Sequence, residues 1–158
     1  MSRARAGLRW VAVAALGAAA LGGCTAGPPA DAKTTKLWTD DFYIRVTSDP
    51  SPPRALEQVK YTVVVLDKKT REPIDNGQGR IFATNQDRQN TDNGFEKAPE
   101  PGTYRTTLFF PTSGTWAMGI QFRRDSTHAL QRTNDWTQDV LPATEPSQDA
   151  AAPARPGQ

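Results

Sequence analysis

Between Gly102 and Arg124 the chain reads GTYRTTLFFPTSGTWAMGIQFRR. Tyr104, Thr106, Leu108 and Phe110 fall on alternate residues, and Trp116, Met118, Ile120 and Phe122 alternate again after a break. Successive side chains of a strand point to opposite faces, so each run makes a strand with one apolar face. A helical period would scatter Trp116, Met118, Ile120 and Phe122 around the axis. Pro111-Thr112-Ser113-Gly114 lies between the runs, and proline and glycine together permit a chain reversal. The stretch therefore predicts a β-hairpin whose second strand is the main core strand. Trp116, Tyr104 and Met118 are expected inside.

Upstream, Phe42, Ile44 and Val46 alternate within a strand expected over Asp41 to Asp49, and Pro50, Pro52 and Pro53 end it. A second strand is expected over Val59 to Leu66, where Val59, Tyr61, Val63 and Val65 make one face. Val64 and Leu66 make the far half of its other face apolar as well. Asp67 to Pro73 is a solvated turn, and Asn76-Gly77-Gln78-Gly79 is another. Arg80 to Thr84 is a short strand, with Ile81 and Ala83 on one side and Phe82 on the other. The wholly polar Asn85 to Asn93 is a loop or a solvated edge, with Phe95 tucked back under it. A last strand is expected over Asp135 to Leu141, with Trp136 and Val140 on one face. Six to seven short strands separated by turns predict an all-β fold, a β-sandwich of immunoglobulin type. The Cys…Trp…Cys spacing of antibody domains is absent, since the chain has one cysteine and no internal disulfide.

The ends read differently. Arg3, Arg5 and Arg9 precede an apolar run from Val11 to Leu21, the layout of a helical secretory signal peptide. That run is shorter than the roughly 20 residues a membrane-spanning helix needs. Leu21-Gly22-Gly23-Cys24 resembles the lipobox of bacterial lipoproteins. The resemblance implies cleavage between Gly23 and Cys24 and lipidation of the Cys24 thiol. Two or more acyl chains give a durable anchor where one gives a marginal one. Thr25, where an aspartate would mark inner-membrane retention, favours the outer membrane in a Gram-negative host. The expected organisation is a lipoprotein signal peptide over residues 1–23, a flexible tether over 24–36, the sandwich over 37–141 and a disordered Pro/Ala-rich tail over 142–158.

Of the 19 Lys and Arg, three belong to the leader, and the remaining 16 face 17 Asp and Glu. A near-neutral, mixed-sign surface carries no electrostatic footprint for nucleic acid.

Two further stretches carry a family resemblance. Val63-Val64-Val65-Leu66-Asp67 followed by Thr70-Arg71-Glu72-Pro73-Ile74 resembles the opening of extracytoplasmic Ig-like domains. Gly102-Thr103-Tyr104 followed by Gly114-Thr115-Trp116 resembles the paired G-x-Y and G-x-W of YtkA-like and FixH-like domains. The resemblance covers about Val59 to Phe122. It implies an extracytoplasmic, often membrane-attached domain, in some members associated with copper handling or oxidase assembly. This chain departs from the metal-linked members, since Ala83 to Phe95 holds no Met or His.

Chemistry-bearing residues are few. His128 is the only histidine, and with Asp125 and Asp135 it could form at most a weak loop site. Soft copper wants Met, Cys or His in convergence, and no metal site or cofactor is expected. No nucleophile elbow, carboxylate pair or phosphate loop is present. Trp38 is the aromatic expected at the surface. His128, Asp125 and Trp38 are the candidate binding residues. The reading is a non-enzymatic, lipid-anchored binding or accessory module of the cell envelope with an unidentified envelope-protein partner, serving envelope or respiratory-complex assembly. The alternative is a copper carrier or chaperone.

Overall fold

A computed structural model describes residues 33–144. The expectations for the leader, Cys24, most of the tether and the tail beyond Thr144 lie outside the described residues. Among the described residues are ten strands and no helix: β1 (Thr35–Trp38), β2 (Phe42–Asp49), β3 (Gln58–Asp67), β4 (Gln78–Thr84), β5 (Asn90–Gly94), β6 (Glu96–Lys97), β7 (Thr103–Phe109), β8 (Gly114–Arg123), β9 (Gln131–Arg132) and β10 (Trp136–Val140). One antiparallel sheet has the order β1-β2-β3-β7-β6, and the other has the order β10-β8-β4-β5 with β9 also on β8. The inner faces of the two sheets enclose one core, so the fold is an immunoglobulin-like β-sandwich.

The alternation in the sequence is the alternation in burial. Along β2, Phe42, Ile44 and Val46 are buried; along β3, Val59, Tyr61, Val63 and Val65; along β8, Trp116, Met118, Ile120 and Phe122. Val64 and Leu66, on the outer face of β3, are half-buried. Phe95 is partly buried against the core, 6.4 Å between ring centroids from Phe122. The polar stretch before it becomes β5, an edge strand paired to β4 along Arg80–Thr84.

The expected hairpin is corrected. β7 pairs with β3 and β6, whereas β8 pairs with β4, β9 and β10. The Pro111–Ser113 link is an arch that carries the chain from one sheet to the other. An apolar alternation on both sides of a turn fits either outcome, because it fixes which residues point inward and not which strands share hydrogen bonds. In the arch the two apolar faces meet across the interior instead of lying side by side. Phe110 and Trp116 then pack edge to face beneath the link, with ring centroids 5.2 Å apart. The Trp116 Nε1–H donates to the Thr112 carbonyl at 3.2 Å, which ties the ring to the arch above it.

The strand count also exceeds the expected six to seven. β6 and β9 are two residues each, too short to leave a period. β1 takes in Thr35 and Lys36 from the stretch read as tether, and it aligns antiparallel on β2 with Leu37 opposite Ile44. Its four residues bury one apolar side chain, Leu37. Gln78 and Gly79, read as part of a turn, begin β4.

The Asp67 turn is as polar as the sequence indicates. The Asp67 carboxylate accepts from the Thr70 and Lys69 N–H groups at 3.0 and 2.8 Å, and from Arg124 at 2.7 Å. These bonds hold its pKa below the usual carboxylate range, the backbone donors contributing most.

Candidate functional site

The residues picked out by sequence do not converge. His128 Nδ1 lies 2.9 Å from Asp125 Oδ1 in an exposed turn. The Asp125 carboxylate also accepts from the Thr127 hydroxyl and N–H, and these bonds, with His128, hold its pKa well below the ordinary value. Asp135 is not part of this group: it pairs with Arg132 at 2.8 and 3.1 Å. Trp38 is half exposed and leans on Tyr43, with centroids 5.6 Å apart. Among the described residues no three His, Cys, Asp or Glu side chains come close enough to hold a metal ion.

A different site emerges from the sandwich itself. β1 and β10 are the edge strands on one flank, and the two sheets part there to leave a cleft of about 350 Å³. Inner-face residues of both sheets line it. From the first sheet come Thr35, Val46, Ser48 and Tyr61, and from β10 come Trp136 and Gln138. Lys33 and Asp139 are exposed at its mouth. One end is closed by backbone bonds: the Leu141 N–H donates to the Pro53 carbonyl at 2.8 Å, and the Ala55 N–H donates to the Leu141 carbonyl at 2.9 Å.

These linings are polar where a sandwich is expected to be apolar. Ser48 shares the face of Ile44 and Val46, yet it carries a hydroxyl. It pairs across the sheet with Tyr61, which pairs in turn with Thr106. A row of three buried hydroxyls thus crosses the inner face of the first sheet. The Tyr61 Oη and Thr106 Oγ1 are sealed from solvent and have no hydrogen-bond partner. On β10, Gln138 sits between Trp136 and Val140 on the inward alternation, opposite the fully buried Trp116. Burial raises the Tyr61 pKa above the ordinary tyrosine value.

The sequence did contain a signal for this site. Ser48 continues the Phe42-Ile44-Val46 alternation, and Gln138 stands between Trp136 and Val140. Each is a hydrophilic residue at an inward position. Only the pairing of both sheets' edges brings the two to the same flank.

A buried, unpaired hydroxyl costs about 1–3 kcal/mol, and removing it while keeping the ring can be neutral or stabilising. Tyr61→Phe is therefore expected to stabilise the unliganded domain by about 1 kcal/mol. Equilibrium urea unfolding checks this; a loss of stability would show that the hydroxyl has a partner.

No family model matches the sequence, and no curated protein matches it. Among solved structures, a DUF4426 family protein from Pseudomonas aeruginosa aligns with a TM-score of 0.51 at 13% identity, over 70% of this chain and 97% of that one. FetP of a uropathogenic E. coli strain, expressed in the periplasm of E. coli, aligns with a TM-score of 0.45 at 9% identity, over 69% of this chain and 97% of that one. The likeness to the DUF4426 protein shows the sandwich fold, and it extends to the fold alone.

Proposed function

We propose that this protein is a non-enzymatic, extracytoplasmic binding module, tethered to a membrane by lipid on Cys24, that receives its ligand in the cleft between β1 and β10. The cleft carries the reading: both sheets place hydrogen-bonding side chains at inward positions that would otherwise be filled for stability. Sites that relax the packing rules in this way are where function is expected. The anchor half of the reading is supported by the leader, the apolar run and Leu21-Gly22-Gly23-Cys24. The YtkA-like and FixH-like resemblance supports a role beside an envelope protein, as an accessory to envelope or respiratory-complex assembly. Nothing in the reading requires nucleic acid.

The binding half is tested by NMR titration, following the Trp136 indole N–H as glucose, phosphate, hexanoate and a neutral tripeptide are added in turn. At least one is expected to shift it in the wild type and not in Gln138→Trp, whose ring fills the cleft. If none moves it, the cleft is not a binding site. The anchor half is tested by Cys24→Ser. The variant is expected to lose all incorporation of labelled fatty acid and to accumulate as uncut precursor. Processed, membrane-bound Cys24→Ser protein would refute the lipid anchor.

A further inference from the structure

We infer that the ligand of the β1/β10 cleft is a neutral polyhydroxylated molecule, a saccharide unit of about monosaccharide size. The inference rests on the cleft being a binding site, and it adds the chemical class. Three observations carry it.

The first is charge. Lys33 and Asp139 are the charged residues of the lining, one of each sign, so the lining has no net charge. An inorganic anion is held by several cations or by a nest of backbone N–H groups, and a lining with one lysine and one carboxylate provides no such set of cations. The second is the kind of hydrogen-bonding group. Ser48 and Thr35 are hydroxyls and Gln138 is an amide, all able to donate and accept. Ligand hydroxyls have the same dual character, so each can satisfy such a group in either sense. A fatty acyl chain would leave these groups unpaired, at the cost of their desolvation. The third is Trp136, a half-buried ring on the opposite wall. An indole face is electron-rich, and the C–H face of a pyranose ring is polarised positive, so the two stack favourably. The volume agrees. At about 350 Å³ the cleft falls in the size range of small-molecule sites, with room for one sugar ring.

The Tyr61 hydroxyl lies beneath this lining with no partner of its own. Sealed from solvent, it costs the fold stability and is out of reach of a ligand in the cleft, so the contacts to a sugar fall to Thr35, Ser48 and Gln138.

The experiment is a titration of the full chain in detergent with glucose and N-acetylglucosamine, alongside sodium phosphate and hexanoate, read by the Trp136 indole N–H. Saturable shifts with at least one sugar are expected. Gln138→Leu, which places an apolar side chain at an inward position and so keeps the fold, is expected to weaken sugar binding at least tenfold. Tyr61→Phe, which removes only a hydroxyl sealed beneath the cleft, is expected to leave it unchanged. If phosphate or hexanoate shifts Trp136 and neither sugar does, the saccharide assignment is overturned and the cleft stands as a site of another class. If sugars bind wild type and Gln138→Leu equally, the assignment is likewise overturned. If no probe moves the indole, the cleft reading itself falls.

Discussion

Trp116→Ala is expected to lower the stability of the domain by about 3–5 kcal/mol, the cost of emptying a large aromatic site in a packed core. Trp116 is fully buried beneath the arch. The loss has three parts. The indole surface leaves the core, and a cavity remains that neighbouring strands cannot collapse to fill. The edge-to-face contact with Phe110 disappears. The Thr112 carbonyl loses the indole N–H that holds the arch down. Because the ring locks the crossover between sheets, its removal loosens the one connection that commits β7 and β8 to opposite layers. A domain of this size loses several degrees of Tm per kcal/mol, so thermal unfolding should fall by roughly 10–25 °C. Trp116→Phe is expected to recover part of the loss, since it restores a ring against Phe110 but no N–H. An unchanged Tm for Trp116→Ala would contradict the burial of this side chain.

The contrast between the arch and the hairpin shows what alternation in a sequence carries. Period two states which side chains point inward, and Trp116, Met118, Ile120 and Phe122 are all buried on that basis. It does not state which strand lies alongside. β7 instead finds β3, where Val63 stands opposite Tyr104 and Val59 opposite Leu108, and β8 finds β4, where Ile81 stands opposite Ile120. Those partners lie about 40 residues upstream, beyond the reach of any local pattern. β1 was hidden for another reason: its place is set by register with β2 rather than by a period of its own. The cleft was hidden for both reasons at once. Ser48 and Gln138 are individually legible as polar residues on inward alternations, but they are 90 residues apart. Only the assembled flank puts them across a gap from one another. His128 and Asp125, by contrast, stood out because their residue types are rare or reactive, and they meet each other and Thr127 in an exposed turn.

One buried tyrosine hydroxyl is bonded and another has no partner, and the same substitution at each is expected to have opposite signs. The Tyr104 Oη donates to the Ile74 carbonyl and accepts the Gly77 N–H at 2.9 Å. These bonds pin the segment that delivers the chain from the Asp67 turn into β4. The pinning matters because Gly77 presses against the Phe122 ring so closely that an added Cβ would lie 2.0 Å from it. Tyr104→Phe keeps the ring and its packing on Phe122, whose centroid is 5.4 Å away, but leaves a carbonyl and an N–H without their partner. Each such orphan costs about 1–3 kcal/mol when buried, and the Gly77 N–H is partly open to water. The expected loss is about 2–4 kcal/mol, read as a lower urea midpoint at unchanged slope. Tyr61→Phe removes a hydroxyl that bonds to nothing, and the midpoint is expected to rise. If both substitutions destabilise alike, the Tyr61 hydroxyl has a structural partner. If Tyr104→Phe is silent while Tyr61→Phe stabilises, the Ile74–Gly77 segment is held by packing against Phe122 alone. Opposite signs on one pair of curves would mark the Tyr61 hydroxyl as a buried polar group that costs the fold stability, and the Tyr104 hydroxyl as one that holds it together.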